Sequence, residues 1–144
     1  MATPIRAPLG AAMPSTINMT AIHAVYDAFS TGDLDRFIDL LDPDFASRQS
    51  DAVPWRGTYH GRAGVRDMFS RVARSGSASF HPEEFIDGGD RVVVIGRAHI
   101  TPHNTDRGFD VRELHVWRAQ DGRLLSLDVF LNAPAPMLAA LTTT

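Results

Sequence analysis

The sequence predicts an α+β fold in which a curved, largely antiparallel β-sheet wraps around three helices of the N-terminal half. Apolar residues recur with helical spacing in much of the first half of the chain, whereas residues 77–131 alternate with the period of β-strands. Short turns join these later strands, which therefore follow one another as an antiparallel meander. Because the sheet must curve around the helices, we expect a half-open cone with a pocket on its concave face.

The chain of 144 residues is long enough for one domain with a single sizeable core. Residues 1–15 contain three prolines and are interpreted as a disordered arm before a domain of residues 16–144. A net charge of -3 without a basic stripe argues against a nucleic-acid partner. No apolar run approaches the ~18 residues that a membrane helix needs, so no membrane contact is expected. The absence of cysteine excludes disulfides and thiolate chemistry and is compatible with the cytoplasm, where we expect the protein.

Three amphipathic helices account for much of the first half. The first is predicted to be capped by Ser15 or Thr16 and to run to about Ser30. The second follows a stop at Thr31-Gly32-Asp33 and ends at Pro43, and the third runs from about residue 61 to 75. Their apolar stripes comprise Ile22, Tyr26 and Phe29, then Leu34, Phe37, Ile38 and Leu41, and finally Val65, Met68, Phe69 and Val72.

Between the second and third helices, residues 45–50 form a weak strand candidate, and a polar, irregular segment with Trp55 and Tyr59 follows. Two interpretations of these aromatic side chains stay open. They form a lid that lines a ligand pocket, as mobile loops often do, or Trp55 only closes the end of the core.

Four strands are predicted in the second half. The first spans about residues 77–86 and is interrupted by Pro82, which indicates a bulge or a sheet edge. The turn at residues 87–90 leads into a strong strand, RVVVIGRAHIT, and a polar hairpin connects it to the segment Phe109–Leu131. A short helix at about Pro136–Leu141 ends the domain.

The segment Phe109–Leu131 contains the candidate site. Glu113, His115 and Trp117 alternate with other residues and therefore share one face of a strand. A buried strand has no packing reason to carry a carboxylate and an imidazole side by side on one face. We therefore expect this face to line the pocket.

The turn at Asp121-Gly122 allows two registers for the strand that follows. A two-residue turn places Asp128 beside His115, whereas a three-residue loop with Gly122 in the left-handed conformation pairs Ala119 with Arg123. The three-residue loop sends Asp128 to the opposite face, where a subunit interface is expected, and sets His115 opposite Leu127 and Glu113 opposite Val129. It is preferred because it gathers four apolar residues opposite the polar face: Leu125, Leu127, Val129 and Leu131.

Four residues are candidates for chemistry. His115 is the candidate acid/base residue, because an imidazole changes charge near neutral pH. Counting across the hairpin at residues 102–108 sets Arg97 opposite Glu113, where the two could form a charge-assisted pair. Tyr26 could donate a hydrogen bond to an enolate. Each also has a purely structural explanation: a satisfied core histidine, a structural ion pair and a helix-core aromatic.

The remaining predicted pocket residues are expected to bind the substrate. They are Trp55, Tyr59, Phe29, Phe69, Trp117, Leu127, Val129 and Leu131. No metal site is predicted, because His99 and His103 lie on a strand and a hairpin, where a spacing of four does not make ligands converge.

Three segments resemble the nuclear transport factor 2-like superfamily, and most closely its SnoaL-like proteins and ketosteroid isomerases: YDAFSTGDLDRFIDLLDPDF, GTYHGRAGVRDMF and HVWRAQDGRLLSLDVFLN. The resemblance spans about residues 17–141 and implies a cystatin-like α+β roll with a hydrophobic cavity. It also implies a homodimer packed through the convex face of the sheet. His115 takes the position of the isomerases' catalytic acid, but their general base falls near Gln49, which cannot take a proton. Their helix tyrosine falls near Val25, so steroid-type isomerisation is not expected.

Together, the residues and the resemblance suggest a small enzyme without a cofactor. Its predicted reaction is proton transfer, as in an isomerase, an aldol-type polyketide cyclase or a dehydratase, on a hydrophobic molecule that bears a carbonyl group. The alternative is a protein of the same fold that only binds a small ligand or only dimerises. Epoxide hydrolysis would need an Asp-Arg-Asp arrangement that the sequence does not supply.

Overall fold

A computed structural model describes residues 12–142, with side chains described from residue 16 onward. The helices are α1 (Ala12–Ser30), α2 (Leu34–Asp39), α3 (Gly61–Ser75) and α4 (Ala135–Thr142). The strands are β1 (Leu41–Gln49), β2 (Gly57–His60), β3 (Gly76–Asp87), β4 (Arg91–Pro102), β5 (Phe109–Gln120) and β6 (Arg123–Leu131). Most of the predicted arm, residues 1–11, lies outside the described residues, and α1 already begins at Ala12.

The six strands form one curved, mixed sheet in the order β2-β1-β6-β5-β4-β3. Strand β1 runs parallel to β6, and the other neighbours are antiparallel. The sheet does not close, and α1 and α3 pack on its concave face. The predicted α+β class and the meander of four strands are therefore confirmed.

Local chemistry ends the first helix and begins the second. Gly32 adopts a positive φ of 75° after α1, and the Asp33 carboxylate accepts a hydrogen bond from the Arg36 amide at 3.1 Å to cap α2. The prediction that α2 reaches Pro43 is wrong, because the chain enters β1 at Leu41. Pairing between β1 and β6 is irregular over residues 41–46, which accommodates a proline inside a strand.

The segment predicted as an irregular lid contains the short edge strand β2. Tyr59 on β2 lies opposite Ser47 on β1, and four residues are too few for the alternation to be visible in the sequence. Trp55 is 5% exposed and packs in a second core cluster with Ile100 and Met137, at the end of the sheet covered by α4. Trp55 therefore closes this end of the core, and it also lines a cavity, so neither interpretation excludes the other.

The turn between β5 and β6 differs from the preferred prediction. Asp121 (φ 53°) and Gly122 (φ 79°) form a two-residue turn that pairs Gln120 with Arg123, as expected of an Asp-Gly pair with two positive φ angles. The three-residue loop is therefore wrong. The ladder then skips Leu125, because its pairs pass from Ala119–Leu124 to Arg118–Ser126.

The bulge at Leu125 restores the predicted faces. One extra residue in β6 reverses the alternation, so that Leu127, Val129 and Leu131 point into the cone and Asp128 lies on the convex face. His115 lies opposite Val129, and Glu113 lies opposite Leu131, each two residues from the expected partner.

The predicted pairing of Arg97 with Glu113 is wrong. Ile100 lies opposite Phe109, one residue from the assumed register, and this shift sets Arg97 opposite Arg112 and Gly96 opposite Glu113. A shift of one residue moves a side chain to the other face of a sheet. Arg97 consequently points outward and forms an ion pair with Glu83 at 3.3 Å.

Asn18 joins α1 to the turns of both hairpins at one end of the sheet. Its buried amide nitrogen donates to the carbonyl oxygen of Gly89 at 3.0 Å and to that of Ala119 at 3.4 Å. Its side-chain oxygen accepts a hydrogen bond from the Gly122 amide at 2.8 Å. One helix side chain thus holds the ends of β3–β4 and β5–β6 in place, which fixes where the residues of β5 meet α1.

Candidate active site

A cavity of about 150 Å³ lies between the helices and the concave face of the sheet, and a wider hollow of about 410 Å³ shares residues such as Phe29, Phe37 and Phe69 with it. The walls of the smaller cavity are mostly aromatic and aliphatic side chains. Apolar cavities of roughly 150 Å³ hold a benzene-sized molecule. Ten predicted residues line it: Tyr26, Phe29, Trp55, Phe69, Glu113, His115, Trp117, Leu127, Val129 and Leu131.

Strand β5 brings the central polar groups to the cavity. Glu113, His115 and Trp117 occupy alternate positions on its concave face, opposite the apolar residues of β6. Trp117 is 1% exposed and His115 is 7% exposed, whereas the Glu113 side chain retains 13% of its surface. The prediction that this face points into the pocket is confirmed.

A continuous chain of hydrogen bonds connects these residues to α1. The Trp117 indole nitrogen donates to the Tyr26 hydroxyl oxygen at 2.8 Å. The Tyr26 hydroxyl lies 2.5 Å from Nδ1 of His115, and Nε2 of His115 lies 2.5 Å from Oε2 of Glu113. Phe80 stacks on the imidazole with its ring centroid 4.1 Å away and holds the ring in its plane.

The direction of each hydrogen bond follows from its donors. Trp117 can only donate, so the Tyr26 oxygen accepts that bond. Burial raises the pKa of Tyr26 far above its usual range, so the phenol keeps its proton and donates it to Nδ1 of His115. His115 then carries its own proton on Nε2 and donates it to the Glu113 carboxylate.

This arrangement leaves one oxygen of Glu113 available. Both ring nitrogens of His115 and Oε2 of Glu113 already have partners, but Oε1 has no hydrogen bond within the described part of the chain. No buried side-chain nitrogen or oxygen among the described residues lacks a partner, so Oε1 is accessible, and Glu113 lines the cavity. A ligand in the cavity therefore meets the carboxylate of Glu113, with His115 behind it.

Two predicted pocket residues do not line the cavity. Arg97 lies on the outer face, as its register requires. Tyr59 is buried beneath α3, where its hydroxyl donates to the carbonyl oxygen of Trp55 at 2.8 Å and Arg71 lies over its ring.

Nine residues that line the cavity were not predicted as parts of the site, and two of them, Gln49 and Phe80, contact or join its polar groups. Gln49 at the end of β1 lines the cavity, although it was considered only as a failed base. Phe80 is the other, and its alternation with Ala78 in β3 was a signal that could have found it.

No group of three or more metal-ligating side chains forms a cluster in the residues 12–142 that the structure describes. None of the described helices combines the length and the apolar character that crossing a membrane requires.

Comparisons with known proteins agree with this architecture. The family model of the SnoaL-like domain matches residues 22–127. An NTF2-like protein of unknown function from Burkholderia pseudomallei K96243 is 29% identical, with a TM-score of 0.80 over 88% of this chain and 98% of that protein. A comparison with curated protein sequences gives no match.

Two further solved structures share the fold at lower identity. TerC, co-crystallised with polyporic acid, is 24% identical, with a TM-score of 0.79 over 88% of this chain and 99% of TerC. A protein from Jannaschia sp. CCS1, described as a SnoaL-like polyketide cyclase, is 17% identical, with a TM-score of 0.74 over 99% of this chain and 100% of that protein. At these identities the likeness is one of fold.

Proposed function

The chain belongs to the SnoaL-like domain family, and from that premise we propose that it is a small enzyme, independent of cofactors, that transfers protons on a hydrophobic molecule bearing a carbonyl group. The observation that carries this proposal is the Glu113 carboxylate, which presents a free oxygen to an apolar cavity while His115 binds its other oxygen. TerC with polyporic acid and the cyclase-like protein from Jannaschia are consistent with an organic ligand in this fold.

The proposed reaction begins at Oε1 of Glu113. This oxygen removes a proton from the carbon next to the carbonyl group, and the electron pair of the broken C–H bond forms an enolate. The same proton then passes to a different carbon in an isomerisation, to a departing hydroxyl in a dehydration, or to the alkoxide of a new C–C bond in a cyclisation. In each case the carboxylate is restored, so protons and electrons balance.

His115 acts in this scheme as the second half of the acid/base pair. Its Nε2 proton stays hydrogen-bonded to Oε2 of Glu113 and spreads the charge that appears and disappears on the carboxylate. Tyr26 donates its proton to His115, so its role is to fix the tautomer of the ring, and the Trp117 indole fixes Tyr26 in turn.

Exchange of carbon-bound hydrogen tests the proposal without a known substrate. The probe is 2-tetralone, a two-ring ketone with acidic protons beside its carbonyl, incubated with the protein in deuterated water and followed by NMR. We expect catalysed exchange with the wild type and a loss of about 100-fold or more in Glu113→Gln. His115→Gln should also lose most of the activity, whereas the matched control Glu83→Gln, on the outer face, should keep it.

Undiminished exchange in Glu113→Gln would remove the carboxylate from the mechanism. The competing function is ligand binding alone, which the mainly apolar cavity also supports. It predicts that added 2-tetralone changes the tryptophan fluorescence of the wild type until the change saturates, and that no exchange of hydrogen is catalysed.

We also propose that a second copy of the chain covers the convex face of the sheet. Phe130 is 52% exposed and Leu114 is 39% exposed, and the two lie opposite each other on β6 and β5. Adjacent large apolar side chains in the middle of a sheet are typical of an interface. Two ion pairs border the patch, Arg48–Asp128 on one side and Arg97–Glu83 on the other. Each places a positive and a negative side chain at the edge of the patch, so a twofold rotation can bring opposite charges of the two copies together. We propose separately that the protein is located in the cytoplasm.

A further inference from the structure

A second polar side chain reaches the cavity from strand β1. Gln49 is only 7% exposed, yet it lines the cavity among aromatic and aliphatic residues. Its amide nitrogen donates to the hydroxyl oxygen of Ser47 at 2.9 Å. The Ser47 hydroxyl lies 3.6 Å from the Met68 sulfur, to which it donates its own proton.

These bonds fix the orientation of the Gln49 amide. Because the Ser47 proton is directed at the sulfur, Ser47 can only accept from Gln49, which places the amide nitrogen next to Ser47. The amide oxygen then has no partner within the described residues. No buried side-chain oxygen described here is left unpaired, so this oxygen is accessible, and Gln49 lines the cavity. An accessible acceptor held in one orientation in a cavity is ready to bind a donor on a ligand.

The sheet fixes the separation of this acceptor from Glu113. Strand β6 lies between β1 and β5, and Arg48 lies opposite Asp128, so Gln49 falls in the row that contains Val129 and His115. Two strand spacings set the backbones of Gln49 and His115 roughly 10 Å apart. Glu113 lies two residues further along β5, in the row of Leu131, so its backbone is roughly 12 Å from that of Gln49. The two side chains therefore approach the cavity from opposite sides of an apolar floor.

We infer that Gln49 binds a hydroxyl group of the substrate, and that the substrate is a one- or two-ring molecule with a carbonyl group at one end and this hydroxyl at the other. The hydroxyl donates to the amide oxygen, and the remaining amide N–H can donate back to it. The apolar floor, formed by Val129 and Leu131 on the strand between the two polar groups, contacts the ring face. The identity of the carbonyl end depends on the proposed proton-transfer function, whereas the hydroxyl site depends on Gln49 alone.

A matched pair of probes tests the inference. The probes are 6-hydroxy-2-tetralone and 2-tetralone, and binding is measured through the fluorescence of Trp55 and Trp117, the chain's two tryptophans, both of which line the cavity. We expect the wild type to bind the hydroxylated probe about tenfold more tightly, which is the usual net value of one hydrogen bond.

The variant Gln49→Leu should lose this preference and bind both probes equally. Its control is Gln120→Leu, at the exposed end of β5, which should keep the preference. Ser47→Ala releases the amide without removing it and should reduce the preference, while circular dichroism confirms the fold of each variant.

The outcomes separate this inference from the proposed function. Equal binding of both probes by the wild type, or an unchanged preference in Gln49→Leu, overturns the hydroxyl site. A preference that disappears in Gln49→Leu, together with no hydrogen exchange in any variant, supports the hydroxyl site and refutes the proton-transfer function. Glu113→Gln should abolish exchange and leave the probe preference intact.

Discussion

Replacing Tyr26 with phenylalanine should destabilise the protein and release the His115 ring at the same time. The hydroxyl is the acceptor for the Trp117 indole at 2.8 Å and the donor to Nδ1 of His115 at 2.5 Å. Trp117 is 1% exposed and His115 is 7% exposed, so neither group can turn to bulk water. Leaving a buried donor or acceptor unpaired costs about 1–3 kcal/mol, which gives about 2–6 kcal/mol for the two. At about 3 °C per kcal/mol for a chain of this size, the melting temperature should fall by about 6–18 °C.

Tyr59→Phe is the matched control, because Tyr59 is the chain's other tyrosine and its hydroxyl makes a buried hydrogen bond. The Tyr59 hydroxyl makes one bond, to the carbonyl oxygen of Trp55, so its removal should cost about 1 kcal/mol. Urea unfolding measures both variants. The nitrogen chemical shifts of His115 report the ring: the wild type should show one tautomer with the proton on Nε2, and Tyr26→Phe should show a mixture.

If Tyr26→Phe costs no more than Tyr59→Phe, the Tyr26 hydroxyl does not accept from Trp117 and donate to His115. An unchanged His115 tautomer would also contradict this direction, because the phenol proton would then not determine which ring nitrogen is protonated.

Three further outcomes follow from the structure. Burial raises the pKa of Tyr26, so its contribution to stability is complete below about pH 10 and is lost as the pH rises further. An absorbance titration of the wild type against Tyr26→Phe should show no ionisation of this phenol before unfolding, and ionisation in the folded protein near pH 10 would contradict the burial argument. Asn18→Ala leaves the Gly122 amide unpaired, and the free energy of unfolding measured in urea should fall by about 2–4 kcal/mol. Thr20→Ala, on the exposed side of the same helix, should lower it by less than about 1 kcal/mol, and equal losses would refute the role of Asn18 in holding the two turns. Phe130→Glu places a charge in the proposed interface, so analytical ultracentrifugation should show a dimer for the wild type and a monomer for the variant, and a monomeric wild type would refute the interface.

The parts of the fold that could be predicted from sequence are those in which a periodic pattern extends over many residues. The three amphipathic helices and the long strands β4 and β5 each repeat their signal several times. The shared face of Glu113, His115 and Trp117 followed from the same period, because residues of one strand need no knowledge of its neighbour.

The errors arise where the position depends on how two segments align. Arg97 was assigned to the cavity by a count across the hairpin at residues 102–108, and a difference of one residue placed it outside. The face of Leu127 and Val129 was predicted correctly through a wrong loop, since the extra residue lies at Leu125 and not in the turn. One extra residue reverses the faces of the later residues whether it lies in the turn or inside the strand. The sequence therefore predicted the faces correctly but could not show where the extra residue lies.

Long-range polar contacts were invisible for a different reason. Asn18 binds backbone atoms that lie 71–104 residues away, and no local pattern records such partners. Gln49 was set aside because it cannot accept a proton, a judgement about one reaction that ignored its ability to bind a ligand.

The free oxygens of Glu113 and Gln49 bear on whether this cavity has a function at all. A cavity that existed only as a packing defect would be lined by apolar side chains, because burying a polar side chain there would cost stability and gain nothing. Two polar side chains from different strands line this cavity. His115 orients Glu113 through Oε2, and Ser47 orients Gln49 through its amide nitrogen, which leaves one accessible oxygen on each side chain without a protein partner. Holding a polar group in place and leaving its binding atom open is how preorganised sites avoid reordering when a ligand arrives. These two oriented acceptors are therefore best explained by a ligand that binds them.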